Sequence, residues 1–194
     1  TVLNGKIEPV AANLYVSTDG CNTNDGLTRY TPLQTIAFAM SKINPTGTER
    51  RNIFVADGLY SASRNNQIFP VQVRSNVNII GESKKGTVLD MEKRGWAFSA
   101  FIIPGETSGQ NQSYISQFSI KNFTIINGGD HEFRYSMMYS GINLYSLKDF
   151  EIENISIHNG ITERNGAVRS MQNSGFIMRN IEITDCIGNR GIWF

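Results

Sequence analysis

This chain of 194 residues has only 2 Cys and 5 Pro. Its positive and negative side chains are almost balanced, with 18 Lys plus Arg against 17 Asp plus Glu. Two cysteines are too few for a disulfide scaffold, so the core must come from apolar packing. A net charge of +1 without a basic run gives no electrostatic footprint for nucleic acid. No apolar stretch approaches the ~18 residues that cross a bilayer. We therefore expect one domain, or part of a larger one, with neither nucleic-acid binding nor membrane insertion.

Asparagine and isoleucine, by contrast, are abundant, and the asparagines mark an internal repeat. Ten positions repeat without a slip over residues 118–127, 150–159 and 176–185. Each unit has four apolar columns and reads as two short strands of period two. A polar residue separates the two strands in each unit: Asn122, Asn154 and Asn180. A second register repeats between these units, at residues 141–145, 167–171 and 191–194.

Three short strands per repeat of ~25 residues, each too brief to bury a face alone, predict a solenoid. The expected fold is all-β, a right-handed parallel β-helix of three-strand coils. Stacking would place equivalent residues ~4.8 Å apart, with the three asparagines as a side-chain amide ladder. An outward column of alternating charge would pair opposite signs between coils; it comprises Lys121, Glu153 and Arg179. A β-sandwich with coincidental spacing is the alternative.

The first third of the chain predicts a cap for this solenoid. A strand over 14–17 and a turn-rich loop precede a predicted helix, with Thr31 as N-cap and Pro32 at the first helical position. Asn44 and Pro45 end the helix. Its predicted apolar face comprises Leu33, Ile36, Ala37, Met40 and Ile43. Further strands at 52–56, 70–73, 77–80 and 87–90 do not align cleanly with the later repeats.

We predict that this helix covers apolar coil interior at one end of the solenoid, because terminal repeats need caps. The predicted organisation is one β-helix domain over 1–194. Residues 1–50 form the N-terminal strand, loop and capping helix, and residues 51–194 form the coils.

The runs 15–20, 24–28, 31–36, 55–60 and 77–81 resemble the amino-terminal half of secreted pectate-lyase-like β-helix proteins. They are most similar to an uncharacterised bacterial domain family that opens with this strand, loop and capping helix. The resemblance implies a secreted or cell-surface protein that acts on polysaccharide. The superfamily includes lyases, hydrolases, esterases, adhesins and phage tail parts, so the fold does not choose the chemistry.

The last repeat is cut within a strand at Phe194, and an unfinished coil would leave an open sheet edge. We therefore expect the chain to be the N-terminal part of a longer protein. Further C-terminal coils, or another chain, would cover the end at Phe194.

Outward positions of the second register predict a polysaccharide site. If Ile142, Val168 and Ile192 point inward, one outward column comprises Asn143, Arg169 and Trp193, and a second comprises Tyr145 and Met171. Aromatic rings suit the C–H faces of pyranoses, and amide or guanidinium groups suit their hydroxyls. The predicted substrate-binding residues are Asn143, Tyr145, Arg169 and Trp193. An ordinary solvated face is the alternative.

Two residues are candidates for catalysis. Lyases of the resembled superfamily often use Arg or Lys near calcium to remove the proton beside a uronate carboxylate, which would give Arg169 that role. His131 lies in a long turn beside two acids and is a candidate general acid or base, or simply a loop histidine. No two carboxylates are matched by spacing as a hydrolase requires.

The turn-rich loop offers four oxygen-bearing side chains, from Asp19, Asn22, Asn24 and Asp25. They would suit calcium, although the same residues equally form plain turns. Calcium is thus the one candidate cofactor. The leading hypothesis is an exported protein that binds or processes polysaccharide, as a lyase or hydrolase if catalytic. The competing hypothesis is a non-catalytic adhesion or spacer module.

Overall fold

The structure is a computed structural model that describes residues 2–3, 6–45, 49–101, 115–129, 141–162, 166–188 and 191–194. Its first elements are β1 (Val2–Leu3), β2 (Lys6–Ile7), β3 (Leu14–Val16), α1 (Ile36–Lys42), β4 (Arg51–Val55), β5 (Gly58–Tyr60), α2 (Ala62–Asn65), β6 (Val71–Gln72), β7 (Val77–Gly81), β8 (Thr87–Asp90) and β9 (Phe98–Phe101). The remaining strands are β10 (Ser116–Ile126), β11 (Ile142–Tyr145), β12 (Lys148–His158), β13 (Ile161–Thr162), β14 (Val168–Met171), β15 (Ile177–Thr184), β16 (Ile187–Gly188) and β17 (Ile192–Trp193).

Parallel pairing joins each coil to the next. The large sheet has eight strands: β3, β4, β7, β10, β12 and β15 lie side by side in this order, and β5 and β8 extend it beside the second half of β10. The small sheet has five strands in the order β6, β9, β11, β14, β17. β13 and β16 pair separately, and β1 and β2 form an antiparallel pair. The predicted right-handed parallel β-helix is confirmed.

The ten-position repeats stack residue on residue inside the coils. Phe118 pairs with Phe150, and the Phe150 ring lies between the rings of Phe118 and Phe176, at centroid distances of 5.0 and 5.2 Å with interplanar angles of 8°. Ile155 and Ile157 are fully buried in the neighbouring columns. These stacked apolar layers form the core, as the repeat predicted.

The predicted asparagine ladder lies where each long strand bends. Asn122, Asn154 and Asn180 have φ values of 62°, 58° and 53°, in the left-handed region that asparagine tolerates better than most residues. Asn154 Nδ2 donates to Asn122 Oδ1 at 2.9 Å, and Asn180 Nδ2 donates to Asn154 Oδ1 at 2.7 Å. The left-handed residue shifts the strand's phase by one, which keeps both halves facing the core.

An insertion explains why the sequences of the earlier strands do not align with the later repeats. Ile80 pairs with Lys121 and Val88 pairs with Thr124, so eight positions in the earlier coil correspond to three in the later one. The inserted turn folds back onto Asp57, whose Oδ1 accepts hydrogen bonds from neighbouring backbone and hydroxyl groups. One bent strand in the later coils is therefore two strands joined by a turn in the earlier coil.

The helix prediction was right in place but wrong at its start. α1 has Thr35 as its N-cap, with the Thr35 hydroxyl accepting from Phe38 N at 3.2 Å. The chain is still extended at Leu33, because its backbone is hydrogen-bonded to β3. Ala39 is buried on the inner face, whereas Ala37 is only half-buried. α1 packs against β3, β4 and β6 at the N-terminal end of the stack.

The other end of the stack is less covered. Within the described ranges, β15 and β17 each have a partner strand on one side only. Ile181 and Ile183 repeat the inward columns but are only half-buried, and Phe194 is 66% exposed. That additional coils or another chain cover these side chains stays a prediction.

Candidate functional site

The outer face of the small sheet brings together the predicted polysaccharide-binding residues. Asn143 pairs with Arg169 across β11 and β14, and Arg169 pairs with Trp193 across β14 and β17. Tyr145 pairs with Met171 two positions further along. The alternation of each strand turns these side chains away from the core. We call Asn143, Tyr145, Arg169, Met171 and Trp193 the arginine cluster.

Arg169 holds the arginine cluster together. Its guanidinium carbon lies 5.0 Å from the ring centroid of Tyr145 and 5.6 Å from that of Trp193. Both distances are typical of cation–π contacts. Arg169 Nη1 donates to Asn143 Oδ1 at 3.3 Å, and Arg169 Nε donates to Met171 Sδ at 3.2 Å. The guanidinium is therefore fixed among two rings, an amide and a thioether.

Burial within this outward column is greater than the sequence predicted. Asn143 is only 3% exposed, and Ser99, its neighbour in register on β9, is fully buried. Among the residues that the structure describes, Ser99 Oγ has no hydrogen-bond partner. Tyr145, Arg169 and Trp193 are half-buried. The outer face therefore changes from covered polar groups at β9 and β11 to a more accessible cation and rings at β14 and β17.

Acidic side chains suited to glycoside hydrolysis do not adjoin the arginine cluster in the described part of the chain. Glu151 and Glu153 lie on the large sheet, where Lys121 and Arg179 form ion pairs with both at 2.5–3.0 Å. This network confirms the predicted pairing of alternating charges. Hydrogen bonds from Arg179 and then Lys121 lower the pKa of Glu153 to about 2, so this carboxylate stays ionised near neutral pH. His131 lies outside the described residues, and the catalytic roles of His131 and Arg169 stay predictions.

The loop predicted to bind calcium is held by its own hydrogen bonds. Asn22 Oδ1 accepts from two backbone N–H groups just before α1, and Asn24 Nδ2 donates to a loop carbonyl at 2.8 Å. Lys42 Nζ donates to the carbonyl oxygens of Asn24 and Asp25 at 3.3 and 2.8 Å. The Asp19 side chain is on the exposed part of the same loop. Among the described residues, no three His, Cys, Asp or Glu side chains group as a metal site requires, and the calcium site stays a prediction.

A groove on the large sheet was not predicted from the sequence. Its floor comprises Tyr15, Phe54 and Ile80, and it encloses a cavity of about 340 Å³. Arg29 lies in the wall formed by the 19–32 loop, and Glu82 lies at the start of the inserted turn. We call this feature the aromatic groove. The only signal in the sequence is that Tyr15 and Phe54 each lie between two inward apolar residues of their strand, and that Ile80 follows one.

These coils, with their pairing register, define the chain as a right-handed parallel β-helix protein. It belongs to the family described as Protein of unknown function (DUF1565), whose model matches residues 18–192. No curated protein matches the chain. Among solved structures, it is similar to "Pectin methylesterase PemA from Erwinia chrysanthemi", with 15% sequence identity and a TM-score of 0.42 over 90% of this chain. The chain spans 55% of that chain's length. Within the described residues, neither helix is long and apolar enough to cross a membrane.

Proposed function

We propose that this protein is an exported polysaccharide-binding β-helix and that its ligand contacts the arginine cluster. The observation that carries the proposal is the convergence of Tyr145, Arg169 and Trp193 with Asn143 on one outer face. Sugar rings present apolar C–H faces and hydroxyl edges together, and this cluster offers aromatic surface beside an amide and a guanidinium. A linear polymer that follows the β-helix axis would meet β11, β14 and β17 in turn.

Binding is proposed ahead of catalysis because of where the described charged groups lie. A glycosidase needs two carboxyl groups that flank one bond, and a metal-assisted lyase needs several carboxylates around its calcium. Glu151 and Glu153 are engaged with Lys121 and Arg179 on another sheet. Asp149, the described carboxylate nearest to Tyr145 in sequence, lies in the same strand as these two, β12. If the protein is an enzyme, we expect a lyase or hydrolase whose acidic groups lie elsewhere.

A non-catalytic spacer is the second candidate, and the large sheet favours it. There the outward charges of Lys121, Glu153 and Arg179 satisfy one another between coils. Such a self-paired face needs no ligand and stiffens the stack of coils. The spacer and the binding hypotheses differ in what the small sheet should do.

A glycan array with the full chain, followed by calorimetric titration of any hit, tests the proposal. We expect Arg169→Ala and Trp193→Ala each to weaken binding tenfold or more. Arg169→Lys keeps the charge but loses the planar group between the rings, so it should recover only part of the affinity. Arg64→Ala is the matched control, because Arg64 is an exposed arginine on α2.

Two outcomes would reject binding at the arginine cluster: no glycan bound by the full chain, or equal affinities for Arg169→Ala and Arg64→Ala. An assay for unsaturated uronate products, run on the same glycans, would reveal lyase activity. Product formed by wild type and lost in Arg169→Ala would extend the function from binding to elimination.

A further inference from the structure

We propose that the aromatic groove is a second carbohydrate site, which takes a neutral pyranose unit of a glycan lying along the large sheet. This inference does not rest on the arginine cluster, since the two sites lie on different sheets. It starts from the register of three successive coils. Tyr15 pairs with Phe54 across β3 and β4, and Phe54 pairs with Ile80 across β4 and β7.

These three side chains form an apolar strip. Coils stack ~4.8 Å apart, so the strip extends about 10 Å along the β-helix axis. The rings of Tyr15 and Phe54 lie 5.3 Å apart at an angle of 30°, and all three side chains are half-buried. Two neighbouring, partly accessible rings, inclined by only 30°, offer the aromatic surface against which the C–H face of a pyranose packs.

The apolar strip ends where the same column of stacked residues becomes charged. The next residue in register after Ile80 is Lys121, where the charged network with Glu151 and Glu153 begins. The apolar part of this face therefore ends after three coils. A cavity of about 340 Å³ is within the size range of small-ligand sites and suits one or two sugar units rather than a protein surface.

Charged groups of opposite sign border the strip. Glu82 Oε2 accepts a hydrogen bond from Asp57 N at 3.1 Å, which positions the carboxylate. In the described part of the chain, Glu82 Oε1 and the Arg29 guanidinium have neither an ion pair nor a hydrogen bond. A carboxylate that accepts and a guanidinium that donates match the hydroxyls of a neutral sugar, which do both. An acidic sugar would be attracted by Arg29 but repelled by Glu82.

The wall that carries Arg29 is preformed. Lys42 Nζ binds two carbonyl oxygens of the loop, and Asp25 Oδ1 accepts from the Thr31 hydroxyl at 2.6 Å. The Asn22 contacts fasten the same loop to the start of α1. Because the chain's own groups hold the loop, binding would not have to order it, and the entropic cost of binding is reduced.

Titration of the full chain with neutral oligosaccharides tests this site. The probes are cello-, xylo-, manno- and chito-oligosaccharides of two to six units, with oligogalacturonates as the acidic comparison. We expect at least one neutral series to bind in the micromolar to millimolar range. Phe54→Ala should weaken that binding tenfold or more, and Glu82→Gln at least threefold. Tyr30→Ala is the matched control, because Tyr30 is a 96% exposed aromatic residue of the same loop that does not line the groove.

Circular dichroism of each variant shows whether it is folded, and Glu82→Gln, an exposed and nearly isosteric change, keeps the test valid if Phe54→Ala does not fold. Binding by no neutral series, binding by oligogalacturonates alone, or equal affinities for wild type, Phe54→Ala and Glu82→Gln would overturn the inference. Arg169→Ala separates the two sites. It should leave groove binding unchanged, whereas Phe54→Ala should leave binding at the arginine cluster unchanged.

Discussion

The asparagine ladder allows the sharpest test of how this fold is held together, through replacement of Asn154. Asn154 has two roles that different substitutions separate. Its side chain donates to Asn122 and accepts from Asn180, at 2.9 and 2.7 Å, and its backbone has a φ of 58°. Asn154→Gly removes the side-chain bonds but keeps the backbone unstrained. Asn154→Ala removes the same bonds but, unlike Asn154→Gly, keeps a Cβ in the left-handed region without the polar side chain that lets asparagine tolerate it.

The expected magnitudes follow from this geometry. Two hydrogen bonds at roughly 0.5–1.5 kcal/mol each give a loss of about 1–2 kcal/mol for Asn154→Gly, in the lower part of the range because the ladder is half-exposed. Compared with Asn154→Gly, the Cβ that Asn154→Ala keeps in the left-handed conformation costs about a further 1–2 kcal/mol. For a chain of this size, each kcal/mol lowers Tm by roughly 2–4 °C.

Urea denaturation followed by far-UV circular dichroism measures both free energies of unfolding. The order of stability should be wild type, then Asn154→Gly, then Asn154→Ala. Equal stabilities of the Gly and Ala variants would contradict the role of the left-handed bend. A Gly variant as stable as wild type would show that the amide ladder contributes nothing.

Three further predictions concern the core, the charged network and the loop. Phe150→Ala opens a cavity inside the phenylalanine stack and should cost about 3–5 kcal/mol, whereas Phe150→Leu should cost at most about 1.5 kcal/mol; equal losses in urea denaturation would refute ring stacking. The folded-state pKa of Glu153, about 2, is below its ordinary value of 4.5, so its stabilisation is complete above pH 4.5 and is lost as pH falls towards 2. Thermal melts from pH 6 to 2 should therefore show a shallower acid destabilisation for Glu153→Gln, and identical pH profiles would refute the effect. Lys42→Met leaves two loop carbonyls without their buried ammonium donor and should cost about 1–3 kcal/mol. It should also speed proteolysis within residues 19–32, and cleavage no faster than in a Lys148→Met control would contradict this.

Much of the fold was predictable because the stacking of coils in a parallel β-helix requires a repeating pattern of residues in the sequence. Each coil must offer apolar side chains at the same inward positions, so Phe118, Phe150 and Phe176 recur at fixed offsets. The register of Asn143, Arg169 and Trp193 follows from the same rule. Where an insertion changes the spacing between equivalent residues, as after Ile80, the repeat could not be recognised from the sequence.

The candidate sites were only partly predictable, since a column in register fixes neighbours but not conformations. The contact of Arg169 with two rings depends on side-chain torsions, and the burial of Asn143 depends on what covers the sheet. The predicted start of α1 was wrong because backbone hydrogen bonds between Leu33 and β3 keep the chain extended beyond the helix-capping signal at Thr31. Hydrogen bonds between residues far apart in the chain cannot be predicted from the spacing of residue types within a short segment.

The coil, its inward columns and its asparagine bends could be read from the sequence, because each depends on residues that recur at regular intervals along the chain. In contrast, the folded chain alone shows that Tyr15, Phe54 and Ile80 lie side by side and line one groove with Arg29 and Glu82. Those five residues come from separate strands, a loop and an inserted turn, and no periodicity relates them. Chain folding alone brings them within reach of one ligand.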